Sequence, residues 1–263
     1  MWSYVNDLGK QAEHQLLLLM EFLSPEGLRL DGRRPRELRR LSCQLDVLAN
    51  ADGSAIFEMG NTKVLAAVFG PREVERRSDR LEDRAIINCE YSMAAFSTGE
   101  RRRRGKQDRR SAEIGMVIRG TLEQTVMVEL LPRSQIDVFI QVLQADGGTR
   151  CAGINAALLA LADAGVPVRD RVAACAAGYL DGNPLLDLNF LEDSGGGPDI
   201  SVAMLTSLDK IVLLQMDNRL PIDTFEAVVA LAQEGCRAIA QYMQGILLEH
   251  TKRLSIAKGV GRS

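Results

Sequence analysis

A run of strands followed by a helix, met twice along the chain, predicts an α/β (α+β) protein built from two related halves. Three observations carry that reading. β-prone runs at 54–59 and 62–69 flank Gly60-Asn61, a hairpin signal. A strand-like segment, Ser134–Gln144, breaks at Asp146-Gly147-Gly148-Thr149 into an Ala-rich helix over 152–164. Beyond Gly165-Val166-Pro167 the order of elements starts again, so the join falls near 165–170.

From Asn50 onward the elements follow in order. A third strand is expected at 85–96, and the charged stretch Arg72–Arg84 before it reads as an exposed loop. Residues 99–110 form a second loop, strongly basic. A helix over 111–130 places Ile114, Val117, Ile118, Leu122 and Val126 at helical spacing, with Asp108 or Ser111 as its cap. The second half reads as strands at 172–179, 184–189, 200–206 and 210–216, then a long helix over 222–248. The expected organisation is an extension over 1–19 foreign to the rest, halves at 20–166 and 167–250, and a frayed basic tail over 251–263.

The chain has 263 residues, 46% hydrophobic and 25% charged, which is long for one domain and short for two. The net charge of -3 hides an asymmetry. Residues 1–150 hold 23 of the 32 Lys and Arg against 22 acids, while the remainder holds 9 against 13. Eight basic residues to two acidic fall within 101–119, which concentrates the positive field there. The only histidines, His14 and His250, sit near opposite ends, which argues against a Ser-His-Asp triad, a Cys-His dyad or a multi-His metal site. Chemistry here must run on carboxylates, arginines, lysines, hydroxyls, backbone or a bound ion. Five scattered cysteines without CxxC spacing read as buried reduced thiols. No apolar run reaches the ~18 residues of a membrane span, so the chain reads as soluble and intracellular.

Three constellations can carry chemistry. Gly147 and Gly148 at a strand-to-helix junction let backbone approach a ligand, and the N–H groups of the helix start favour an anion. Thr149 adds a hydroxyl and Arg150 a guanidinium fork matched to phosphate oxygens. The same four residues also suit a plain turn with an N-cap, and the Lys and spacing of a Walker loop are missing. Arg109-Arg110 lie just before the next helix and would strengthen its pull on anions, although a solvated charge run is the plainer reading of that pair alone. Arg101, Arg102, Arg103 and Arg104 form a cluster suited to tracking an RNA backbone. The third set is Asp187 and Asp193, six apart across a strand end with Glu192 beside the second. Paired acids hold Mg²⁺, or one stays protonated as a general acid; an acidic turn before Gly195-Gly196-Gly197 is the competing reading. Two arginine-bearing helix starts and a carboxylate pair in a histidine-poor protein suit phosphoryl transfer involving inorganic phosphate.

At these residues the chain resembles RNase PH and its relatives in the RNA exosome ring. Arg29-Leu30-Asp31-Gly32-Arg33-Arg34, Gly53–Val68 with its Gly-Asn-Thr-Lys, Gln144–Arg150 and Leu186–Ser194 carry the likeness, which spans roughly 20 to 250. Glu90-Tyr91-Ser92, 96–101 and 132–137 resemble an exosome ring subunit more than the bacterial enzyme. The resemblance implies an RNase PH-like fold, each half a mixed β-sheet packed with α-helices. It implies 3′-to-5′ phosphorolysis: inorganic phosphate attacks the last phosphodiester and a nucleoside diphosphate leaves. Arg110, Arg150, Thr149, Gly148 and Gly147 would then bind the phosphate. Asp193 would be general acid or Mg²⁺ ligand, with Asp187 supporting the metal.

The implied partners are single-stranded RNA, other RNase PH-like subunits in a hetero-hexameric ring, and RNA-binding cap subunits, in the nucleus, nucleolus and cytoplasm, with rRNA processing and RNA decay as the task. Arg72 and Arg101–Arg104 are the expected RNA contacts. Two alternatives stay open: a catalytically silent ring subunit that threads RNA to a hydrolytic nuclease, and a free-standing bacterial-type enzyme that trims tRNA 3′ ends.

Overall fold

The computed structural model describes residues 22–74, 80–99, 101 and 108–257. Strands β1 (Leu41–Leu45), β2 (Gly53–Met59), β3 (Thr62–Glu73), β4 (Ile86–Met93) and β5 (Ser134–Gln144) form one sheet in the order β1-β2-β3-β5-β4. β2 and β3 pair from Met59↔Thr62 around Gly60-Asn61, as the turn signal predicts. Gly60 sits at φ 57, and a Cβ there would lie 2.7 Å from the Arg39 side chain. β4 runs parallel to β5, so helix α1 (Arg109–Thr125) is the crossover between them.

The second sheet holds β6 (Val172–Leu180), β7 (Asn183–Leu186), β8 (Asp199–Leu205) and β9 (Lys210–Met216) in the order β7-β6-β8-β9. All its pairings are antiparallel. Helix α2 (Thr149–Asp163) packs on β2 and β3 from one sheet and on β6 from the other. A helix contacted on all sides must be apolar all round, and Cys151 through Leu161 are buried without a break. Its one buried amide, Asn155, donates to the Ala174 carbonyl at 2.9 Å and accepts from the Ala174 N–H at 2.8 Å. β8 pairs with Ala174 through Ala203 on one side, while β7 pairs only with Ala177–Leu180, so Asn155 serves β6 on the side that β7 does not reach. Helix α4 (Ile222–Ala257) packs on β6, β7 and β8, and one core of Phe57, Ile140, Leu158, Val202 and Ile239 runs through both sheets.

Several boundaries differ from expectation for visible reasons. α1 ends at Thr125 rather than near 130, because the Thr125 carbonyl accepts from Arg169 N at 2.8 Å and Met127 N donates to Pro167 O at 3.0 Å. Those bonds join the two halves through a Val126↔Val168 bridge, and only a 3-10 turn follows at Val128–Leu130. β1 precedes the first strand that the sequence suggested. β3 runs to Glu73, so Arg72 belongs to a strand and not to a loop. β7 stops at Leu186, since Asp187 takes φ 54 and a short helix α3 (Phe190–Ser194) follows. The chain after 250, expected to fray, continues α4 through Ala257. The extension over 1–19, His14, Arg102, Arg103, Arg104 and residues 258–263 lie outside the described residues. Among the described residues no helix is long and apolar enough to cross a membrane.

Candidate active site

Two helix starts face one cleft. Asp108, Arg109, Arg110, Glu113 and Ile114 from the beginning of α1, Arg150 from α2, and Gln215 and Asp217 from the end of β9 line a space of about 520 Å³. Neither α1 nor α2 carries an acidic residue in its first turn; the Asp108 side chain at the α1 N-cap makes no bond to the helix backbone, and Gly148 at the α2 N-cap has no side chain to make one. The positive ends of both helices are therefore left for a ligand. Arg110 is exposed on the cleft wall. Arg150 is half-buried; one guanidinium nitrogen reaches Ser201 Oγ at 3.4 Å, and its Nε is buried with no acceptor among the described residues. A buried donor without a partner is costly unless something fills its place, and an anion between the arginines would do so.

The turn before α2 is shaped by close approach. Gly147 at φ 75 lies so near the next loop that a Cβ would sit 2.6 Å from the Leu188 carbonyl oxygen. Gly148 caps α2 in the left-handed region at φ 63. Asp146 holds both flanks, its carboxylate accepting from Asn61 Nδ2 at 3.1 Å and from Phe190 N at 3.2 Å.

Asp193 lies close enough to this cleft for the charges of Arg110, Arg150 and Asp217 to act on it. It lies in α3, whose start is fixed by a capping box: Asn189 Oδ1 accepts from Glu192 N at 3.0 Å, and Glu192 accepts from Asn189 N at 2.9 Å. Burial raises the pKa of Asp193, Arg110 and Arg150 pull the other way, and Asp217 adds to the rise. Asp199 responds likewise, pushed up to about 6 by burial and by the charges of Asp193 and Asp217. A carboxyl with a raised pKa within the field of two cleft arginines suits proton donation.

Asp187 does not join Asp193 beside the cleft, contrary to the expected pairing. It is fully buried, and Arg39 occupies it from three directions: Nε at 2.9 Å and backbone N at 3.0 Å on Oδ2, and Nη2 at 2.7 Å on Oδ1. Arg33 approaches to 3.9 Å. Its left-handed backbone turns the carboxylate inward, and a carboxylate spent on a guanidinium is a poor metal ligand. Glu192 is equally committed, paired with buried Arg29, which donates Nε to it at 2.7 Å and Nη2 to the Asp187 carbonyl at 3.1 Å. Arg29 and Arg39, which the sequence reading passed over as site residues, thus hold α3 and the Asp187 loop in place.

Arg72, expected on RNA, forms an ion pair with buried Asp137, whose other oxygen accepts from Asn88 at 2.9 Å and Gln135 at 2.7 Å. Its guanidinium is engaged within the sheet. Arg101 is exposed. Among the described residues no three His, Cys, Asp or Glu gather as a metal site. Mg²⁺ commonly keeps several waters and takes one or two carboxylates with substrate phosphates, and Asp193 would be one such carboxylate.

The model of the 3′ exoribonuclease (RNase PH) family, domain 1, matches residues 37–167, and that of domain 2 matches 170–235. The chain is 60% identical over 236 residues to the exosome complex component RRP41 homolog of Arabidopsis thaliana, covering 89% of this chain and 98% of that protein. It is 48% identical over 241 residues to exosome complex component RRP41 of Homo sapiens, covering 91% and 98%. For Rrp41 of Thermococcus kodakarensis the identity is 50% over 241 residues, covering 92% and 96%. The crystal structure of rice (Oryza sativa) Rrp46 superposes with a TM-score of 0.74 at 26% identity, over 83% of this chain and all of that one. A chain of the Archaeoglobus fulgidus exosome with RNA bound to the active site shares the fold, with a TM-score of 0.72 at 23% identity over 82% of this chain and 93% of its own. With both domain models matched in order and such identity along nearly the whole chain, the protein belongs to the RNase PH family of 3′ exoribonucleases.

Proposed function

We propose that this chain is an exosome ring subunit with a competent phosphorolytic site, which shortens single-stranded RNA from its 3′ end and releases nucleoside diphosphates. One observation carries the reading: Arg110 and Arg150, at the starts of α1 and α2, line one cleft, and their charges reach Asp193, whose pKa burial raises. The relatives' names support the ring assignment and, with it, neighbouring RNase PH-like subunits, RNA-binding caps and residence in nucleus and cytoplasm. The two family domains at 37–167 and 170–235 support a division into halves near 166.

In the proposed reaction Arg110 and Arg150 hold inorganic phosphate against the Gly147–Gly148 backbone and the Thr149 hydroxyl. One phosphate oxygen attacks the phosphorus of the terminal phosphodiester, in line with the leaving 3′ oxygen. The bond from phosphorus to that oxygen breaks, and Asp193 delivers its proton there, leaving the shortened RNA with a 3′ hydroxyl. The terminal nucleotide departs as a nucleoside diphosphate. The arginines offset the repulsion between two anionic reactants, the largest obstacle to this step. Were Asp193 to hold a divalent ion in place of its proton, that ion would stabilise the negative charge on the leaving oxygen instead. Asp187 acts behind the site, through Arg39.

The test uses the ring assembled with its cognate partners and without any hydrolytic subunit, given single-stranded RNA and Mg²⁺ with and without phosphate. Phosphate-dependent release of nucleoside diphosphate, lost in Asp193→Asn, is the expected result. A folded ring that releases none in either form overturns the proposed activity and leaves a structural subunit.

A further inference from the structure

The phosphate turn has a back as well as a front. A peptide is planar and trans, so its carbonyl and its N–H point in opposite directions. Whatever fixes the carbonyls of Asp146 and Gly147 therefore aims the N–H groups of Gly147 and Gly148. Both carbonyls are fixed from one side. Arg39 donates Nη1 to the Asp146 carbonyl and Nη2 to the Gly147 carbonyl at 3.4 Å. Thr62 Oγ1 donates to the Gly147 carbonyl at 2.7 Å and accepts from Asp146 N at 3.1 Å and from Arg39 Nη1 at 3.2 Å. On the other side, the N–H groups of Gly147 and Gly148 meet no acceptor among the described residues.

Arg39 is itself held. Its side chain is 5% exposed, and three of its N–H groups lie on the Asp187 carboxylate. One guanidinium thus joins a buried carboxylate to the rear of the turn and reaches no substrate. We propose that Arg39, anchored by Asp187, is the positioning residue of the phosphate cradle: it presets the Gly147 and Gly148 N–H groups toward the incoming phosphate. The inference rests on the phosphorolytic reading and adds what aligns the site before phosphate arrives.

A pair that merely stabilises the fold would behave differently. Arg39→Met together with Asp187→Asn removes both charges, so no orphaned ion is left in the interior, and Asn tolerates the positive φ at 187. In the assembled ring this double variant is expected to melt within a few degrees of wild type. Its Kd for inorganic phosphate, read by calorimetry, should rise about tenfold, and kcat/KM for phosphate should fall about a hundredfold, the scale of a 1 Å misplacement. The KM for RNA should stay within twofold. Arg39→Lys keeps the charge but not the fork and serves if the double variant does not assemble; it should weaken phosphate in the same direction.

Wild-type phosphate affinity and turnover in the double variant, or in Arg39→Lys where the double variant does not assemble, overturn the proposal. The wild-type arm keeps the two claims apart. A wild-type ring that binds phosphate yet releases no nucleoside diphosphate overturns the reaction, and the Kd comparison still judges Arg39. One that binds no phosphate overturns both.

Discussion

Asp187 and Asp193 stand six residues apart and should fail in opposite ways when altered. Asp187→Ala strands the Arg39 guanidinium, which directs two N–H groups at that carboxylate from a nearly dry interior while the Arg39 backbone N–H supplies a third. Removing one partner of a buried pair costs about 3–5 kcal/mol, because the remaining charge keeps its desolvation penalty. For a chain of this size each kcal/mol moves the melting temperature by about 2–4 °C, so a fall of about 6–20 °C is expected. Asp193→Asn removes a carboxylate whose charged form burial already disfavours, so the melting temperature should hold or rise slightly. Its damage should appear in turnover, about 10²–10⁴-fold for the loss of a general acid. Differential scanning calorimetry and nucleoside diphosphate release on the same preparations separate the two. If Asp187→Ala melts like wild type while Asp193→Asn melts well below it, the division of labour between anchor and acid is refuted.

Other consequences follow from single groups. Gly147→Ala must place a methyl 2.6 Å from the Leu188 carbonyl oxygen at φ 75, so phosphate affinity and stability should drop together, the latter by about 1–3 kcal/mol; wild-type phosphate binding would mean that the turn yields freely. Asn155→Ala leaves the Ala174 N–H and carbonyl buried and unpaired, at about 1–3 kcal/mol for each group, and urea unfolding that moves by less than about 1 kcal/mol would show another partner taking over. The proton donor must be protonated to act, so nucleoside diphosphate release should fall as pH rises through the raised pKa of Asp193. Asp217→Asn removes an acid that raises this pKa, so the falling limb should shift to lower pH, and a shift to higher pH contradicts the electrostatics described.

Local signals read well and reciprocal ones did not. The Gly60-Asn61 turn, the strand Ser134–Gln144 and the glycine break before α2 are each specified by neighbouring residues, and they stand where the pattern placed them. The start of α3 was legible too, because Asn189 and Glu192 have the N-x-x-E spacing of a capping box, a signal passed over in favour of an acidic turn. The end of α1 was not legible, since it depends on bonds from Thr125 and Met127 to residues around 167–169.

Spacing also misled at Asp187, because six residues along the chain say nothing about which way a carboxylate faces after a left-handed turn. A buried arginine leaves no periodic trace: Arg29 is 163 residues from Glu192, and Arg39 is 148 from Asp187. A reader of the sequence therefore credits every acid near the candidate site to chemistry. In the folded chain, two of those acids are neutralised from behind by arginines of the N-terminal segment, which leaves Asp193 as the acid of that run free to act. With Asp187 and Glu192 paired in the interior, neither adds to the acids Asp108, Glu113 and Asp217 that already share the cleft with Arg110 and Arg150, so those arginines keep more of their pull on an entering phosphate.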